Sequence, residues 1–164
     1  MHINIDGACL CGYIRYEAKI NPDRVLICHC TQCQQHSASA FRTGVLVGRK
    51  NFRLISGEPK VYVKTAESGT PRALAFCPEC GTSIYGSTVE DPQVFSLRIG
   101  TARQRAELVP KAHIWARSAM PWLSGLADMP RHDTMPDAPD AVPPDDACQP
   151  PGLAQDLAGP RHQA

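Results

Sequence analysis

Residues 7–20 read Gly7-Ala8-Cys9-Leu10-Cys11-Gly12-Tyr13-Ile14-Arg15-Tyr16-Glu17-Ala18-Lys19-Ile20. Two cysteines one residue apart sit between glycines, and an alternating run follows. Ile14, Tyr16, Ala18 and Ile20 fall on one face, while Arg15, Glu17 and Lys19 fall on the other. That period of two is the pattern of a half-buried β-strand. A cysteine-bearing turn leading into a strand sets the expectation for the rest of the chain.

Working outward, short apolar runs recur at Arg24–Cys28, Thr43–Val47, Phe52–Ile55, Val61–Lys64, Ala73–Phe76, Ser83–Tyr85, Val94–Ile99 and His113–Trp115. Turn residues separate them: Asn21-Pro22-Asp23, Ser56-Gly57, Ser68-Gly69-Thr70-Pro71 and Asp91-Pro92. Helical signal is thin, with one turn expected over Thr31–Ser37 and another short piece over Ala102–Leu108. Many short strands without β-α-β alternation predict a mainly β fold of antiparallel sheets. Phe41, Phe52, Phe76 and Tyr85 are expected in its core. Trp115 and Trp122 are expected in the core or in a pocket wall.

The cysteines carry the chemistry. Seven of the eight lie at Cys9, Cys11, Cys28, Cys30, Cys33, Cys77 and Cys80, and Cys148 stands alone as a bystander. Disulfides fit poorly with an odd count and with an opening, Met1–Asp6, that has no signal-peptide pattern. A redox C-x-x-C needs a β-α-β context that is missing, and it leaves the other cysteines unexplained. Zinc fits: paired cysteines on tight turns, joined across long loops, are how a tetrahedral thiolate site is built. Cys77-Pro78-Glu79-Cys80-Gly81 has the form of a zinc knuckle, with Gly81 free to take a positive φ. Seven ligands do not fill two four-coordinate sites, so the count suggests one closed site and one of three cysteines with a position left over. Cys28, Cys30 and Cys33 are the natural trio, leaving Cys9, Cys11, Cys77 and Cys80 for the closed site, although spacing alone also allows a swapped partition. His29 and His36 are near enough to complete the trio or to move protons beside it.

The segments Gly7-Ala8-Cys9-Leu10-Cys11-Gly12, Cys28-His29-Cys30-Thr31-Gln32-Cys33 and Phe76-Cys77-Pro78-Glu79-Cys80-Gly81-Thr82 together resemble the glutathione-dependent formaldehyde-activating enzyme family, also called the centromere-protein-V-type zinc domain. His113-Ile114-Trp115, Pro121-Trp122-Leu123 and Asp128-Met129-Pro130 resemble its C-terminal signature, and the likeness runs from about residue 3 to 131. The resemblance implies antiparallel sheets stacked around zinc, the β-tent fold. It implies two zinc ions per chain, with Cys9, Cys11, Cys77 and Cys80 as structural ligands and Cys28, Cys30 and Cys33 as catalytic ones. It also implies a carbon–sulfur lyase that joins formaldehyde to glutathione. An open zinc position suits capture of a thiol as thiolate. The alternative is a non-catalytic zinc module that binds a partner.

Composition narrows the setting. The 164 residues fit one domain, and 17 Lys+Arg against 16 Asp+Glu leave a net +1, which gives no electrostatic case for nucleic acid or an anionic membrane. No apolar run approaches bilayer length. The expected partner is a small-molecule thiol such as glutathione, and the expected location cytoplasmic; the oligomeric state is not legible. Residues 131–164 hold seven Pro and six Asp but few large apolar residues, so a zinc-binding domain over 1–131 and a disordered tail over 132–164 are expected. Arg42, Arg98 and Arg117 read as surface residues with a secondary option of binding a carboxylate.

Overall fold

A computed structural model describes residues 1–134. Its strands are β1 (Ile3–Ala8), β2 (Arg15–Ile20), β3 (Val25–Cys28), β4 (Arg42–Gly48), β5 (Phe52–Ser56), β6 (Lys60–Thr65), β7 (Pro71–Phe76), β8 (Ser83–Thr88), β9 (Val94–Leu97) and β10 (Ala112–Ile114). A single α-helix, α1 (Thr31–Ser37), and several 3-10 turns complete it. By its contacts the chain divides after Ser124, and both sheets and α1 belong to the unit Met1–Ser124. The expected tail, apart from its first three residues, and Cys148 lie outside the described residues.

Two sheets form. A three-stranded sheet runs β1-β2-β5, and a seven-stranded sheet runs β10-β3-β4-β9-β8-β7-β6. The alternation in β2 does what it predicts: Tyr16, Ala18 and Ile20 are buried and Arg15, Glu17 and Lys19 exposed. They meet Val25, Val45, Val47, Ile84 and Leu97 of the large sheet in one core cluster, with Cys9 and Cys77 inside it. Aromatic rings knit the two layers: Phe52 lies 5.9 Å from Tyr16, 5.0 Å from Phe95 and 5.4 Å from Tyr85. Each such ring pair adds about 0.5–1.5 kcal/mol beyond burial. Of the four aromatics expected in the core, Phe52 and Tyr85 pack against it, whereas Phe41 and Phe76 are half-buried elsewhere.

Three expectations need correction. The mainly β, antiparallel architecture holds with one exception, because β10 pairs parallel with β3. Ala102–Leu108 is not helical: Ala102 bridges to Gly7, Arg103 N donates to Asp6 O (2.8 Å) and Gln104 Nε2 to Asp6 Oδ1 (2.9 Å). Those bonds to β1 hold the segment in turns. The edge strand β1 itself had no distinct signal, since its alternation fades into Gly7-Ala8. Arg98, expected on the surface, is buried. No helix among the described residues is long and apolar enough to cross a membrane.

Candidate metal centres and cleft

The first cluster forms where turns from the two sheets meet. After β1, Cys9 N donates to Ile14 O (3.0 Å), Gly12 N to Cys9 O (3.0 Å) and Ile14 N to Cys9 Sγ (3.2 Å). Between β7 and β8, Gly81 N donates to Cys77 O (2.9 Å) at φ 73°. That left-handed angle is one glycine takes without steric penalty. The sulfurs of Cys9, Cys11, Cys77 and Cys80 then lie within 4.8 Å of one another, with Cys9–Cys11 at 3.5 Å and Cys11–Cys77 at 3.8 Å. Four thiolates around zinc at about 2.3 Å sit about 3.8 Å apart, so the donor set fits a tetrahedral ion. Thr82 braces it, its Oγ1 3.1 Å from Cys80 Sγ and accepting from Leu10 N at 3.2 Å.

The second cluster is local in sequence. Cys28 ends β3, Cys30 caps α1 with its sulfur accepting from Cys33 N (3.3 Å), and Cys33 lies in the first turn. Cap and first-turn positions face the same side, so Cys30 Sγ and Cys33 Sγ come to 2.9 Å and Cys33 Sγ to 3.3 Å from Cys28 Sγ. The hydrogen bond donated by Cys33 pulls Cys28 down to about 5, with Arg42 lending smaller support, and pushes Cys33 far up in return. Three soft donors converging this closely also suit a thiophilic metal. Among the described residues no disulfide forms, and all seven cysteines there are free.

Neither histidine joins the trio. His29 Nε2 lies 2.8 Å from His113 Nδ1, because the position between Cys28 and Cys30 turns its ring toward β10. His36 is partly buried with Nδ1 unpartnered, and burial holds it below its ordinary value, helped by Arg98, Arg42 and Lys64. Among the described residues, no fourth His, Cys, Asp or Glu completes the cluster.

The trio lines a cleft of about 600 Å³. Arg42, Lys64 and Arg72 line it, with Ile114 and Trp115 as its apolar wall. Trp115, at φ 58° and 40% exposed, is held by Arg117, whose guanidinium carbon lies 4.7 Å from the ring centroid. Arg117 also pairs with Glu67 (2.8 Å), tying the β6–β7 loop to the segment after β10. Gln34 fixes α1 from behind by donating to His29 O (2.9 Å) and Ser118 O (2.8 Å). Lys64, Arg72 and Gln34 carried no sequence signal, since only the hairpin and the helix packing bring them here. A larger open groove of about 1030 Å³ along the small sheet holds none of the cysteines, and its Arg53 and Arg103 are paired with Glu17 and Asp6.

Residues 4–118 match the family described as glutathione-dependent formaldehyde-activating enzyme. No curated protein matches the chain. Among solved structures the chain is similar to a Rhodobacter sphaeroides protein, at 15% identity and a TM-score of 0.52, covering 66% of this chain and 99% of that one. That likeness speaks to the fold alone.

Proposed function

The chain belongs to the glutathione-dependent formaldehyde-activating enzyme family, and on that premise we propose a zinc-dependent carbon–sulfur lyase. Its substrate is a thiol–aldehyde adduct, S-hydroxymethylglutathione or a close relative, handled at Cys28, Cys30 and Cys33. The observation that carries this reading is a three-cysteine cluster with no fourth protein ligand among the described residues, opening into a cationic cleft. Cys9, Cys11, Cys77 and Cys80 would hold a second, structural zinc that fastens the small sheet's turn to the large sheet's. Zinc held by Cys28, Cys30 and Cys33 would favour the thiolate form of a thiol, the nucleophilic form.

The chain's own residues do the rest. Arg42, Lys64 and Arg72 bind and orient the carboxylates of a thiol such as glutathione. Ile114 and Trp115 exclude water from one side of the cleft. In the addition direction a carbon–sulfur bond forms, the aldehyde C=O becomes C–OH, and the thiol proton ends on that oxygen. No oxidant is needed. Residues 1–131 are the working domain in this proposal, placed in the cytoplasm, where a reducing medium keeps thiols free.

The test is the exchange rate between free formaldehyde and its glutathione adduct, followed by NMR with the full chain. Acceleration over buffer that disappears in Cys28→Ser supports the lyase. No acceleration by the metal-replete chain overturns it. One observation favours a binding module instead: Val61, Tyr62 and Val63 of the edge strand β6 are about half exposed. That alternative predicts metal binding without any rate effect.

A further inference from the structure

Gln32 stands between Cys30 and Cys33 in the first turn of α1, yet its side chain reaches a distant strand. Its Nε2 donates to Thr65 O (3.1 Å), and its Oε1 accepts from Lys64 Nζ. Only this orientation of the amide serves both, because the reverse would set an NH2 group against the ammonium and two carbonyl oxygens together. Both partners lie in β6, the outer strand at one end of the seven-stranded sheet, while α1 follows β3 near the other end. The bridge therefore joins the segment that carries the three cysteines to the far wall of the cleft. Gln32 and Lys64 both line that cleft.

The group so held is a cation beside another cation. Lys64 is directly opposite Arg72 in the β6–β7 ladder, so the two side chains leave the same face. Like charges in that relation are destabilising. Among the described residues neither forms an ion pair, and neither does Arg42. Glu67, the acid lining the cleft, is taken by Arg117. A lysine left to itself extends its flexible stem and puts the ammonium in water. Lys64 is instead the half-buried residue of a strand whose other residues are exposed. A neutral amide carbonyl fixes the ammonium without cancelling its charge. Two unpaired cations kept side by side in a cleft suit an anionic ligand.

We propose that Gln32 is a positioning residue: it holds Lys64 beside Arg72, and the two cations anchor the acidic end of a thiol whose sulfur lies at the three cysteines. The cleft thereby selects thiols that carry carboxylates over neutral thiols of the same reactivity. The inference rests on reading the trio as a metal site that takes a thiol.

The test is thiol binding to the cobalt-loaded full chain, followed by its thiolate-to-cobalt absorption. The probes are glutathione, which is acidic, and mercaptoethanol, which is neutral. The chains are the parent, Gln32→Ala, Lys64→Ala and the double variant. Gln32→Ala is expected to weaken glutathione binding roughly threefold to tenfold, the scale of one hydrogen bond, and to leave mercaptoethanol binding at the parent value. Lys64→Ala is expected to weaken glutathione at least as much. In the double variant the loss is expected to equal that of Lys64→Ala alone, because Gln32 acts through Lys64. Unchanged mercaptoethanol binding also shows that the variants fold and keep the cluster. Parent affinity for glutathione in Gln32→Ala overturns the inference. So do equal losses for both thiols, which would make Gln32 a support of the cluster, and so do additive losses in the double variant. Selective binding that follows the expected pattern without accelerating formaldehyde exchange supports the inference and sinks the lyase reading. A parent that binds neither thiol overturns both.

Discussion

His29 Nε2 and His113 Nδ1 face each other at 2.8 Å, with the two rings within 8° of parallel. One nitrogen must donate and the other accept, so the contact works between neutral rings or with one of them protonated. Together with the bond from His29 N to Ile114 O (3.0 Å), it holds the Cys28–Cys30 turn against β10. His29 Nδ1 has no partner, so losing His113 strands both ring nitrogens of a buried side chain. His113→Ala is therefore expected to lower stability by about 1–3 kcal/mol, the cost of an unsatisfied buried polar group. Urea denaturation measures it, and an unchanged midpoint would show that the pair contributes nothing.

Metal content separates the two clusters. Cys30→Ser is expected to bring zinc from about two per chain to about one and to leave the fold intact, because the trio lies on one local segment. Cys80→Ser is expected to lower the melting temperature more, because its cluster joins turns from both sheets. Elemental analysis with calorimetry checks both. Equal thermal losses would remove the structural–catalytic distinction.

Gly7 lies where β1 crosses Tyr16. A Cβ there would stand 2.4 Å from Tyr16 Cζ and Oη and 2.5 Å from Thr101 O. The strand cannot move away, because Asp6 and Gly7 are bonded both to β2 and to the segment after Thr101. Gly7→Ala is expected to cost about 1–3 kcal/mol, as overpacking does. Thermal unfolding at parent-like stability would contradict the contact.

Tyr16 gives a pH signature. Burial raises its phenol to about 12, against an ordinary value of 10.0, despite the opposing bond with Thr101 Oγ1 (2.9 Å). The folded state keeps its proton longer than the unfolded chain does. The contribution is whole below pH 10 and is lost as the pH rises through 12, by at most about 3 kcal/mol. Tyr16→Phe is expected to flatten that alkaline loss, measured by denaturant midpoints between pH 9 and 12. Parallel curves for parent and variant would assign the loss to other groups.

Much of the fold was legible because its signals are local. The alternation of Ile14–Ile20 fixes β2, the turns at Asn21-Pro22 and Asp91-Pro92 end their runs, and the trio's spacing places it on one cap and one helical turn. β1 escaped because Gly7-Ala8 carries no alternation, and the false helix at Ala102–Leu108 came from residues whose hydrogen bonds go to Asp6. The parallel pairing of β10 with β3 has no local mark, since it depends on where a distant strand returns.

The sequence by itself determined a β protein with cysteines spaced as metal ligands are, because strand period and cysteine spacing are properties of neighbouring residues. It left the partition of those cysteines open, and only the packing of the β1–β2 turn against the β7–β8 turn brings Cys9 and Cys11 to Cys77 and Cys80. Arg98 shows the other limit. In β9 and just beyond it, Phe95, Leu97 and Ile99 face the core, so alternation puts Ser96 and Arg98 on the opposite face, where charge ordinarily meets water. Alternation separates the two faces of a strand but does not say what covers either one. Here the second face is covered, and only the tertiary structure could show Arg98 buried against Gly86 and hydrogen-bonded to Ser96.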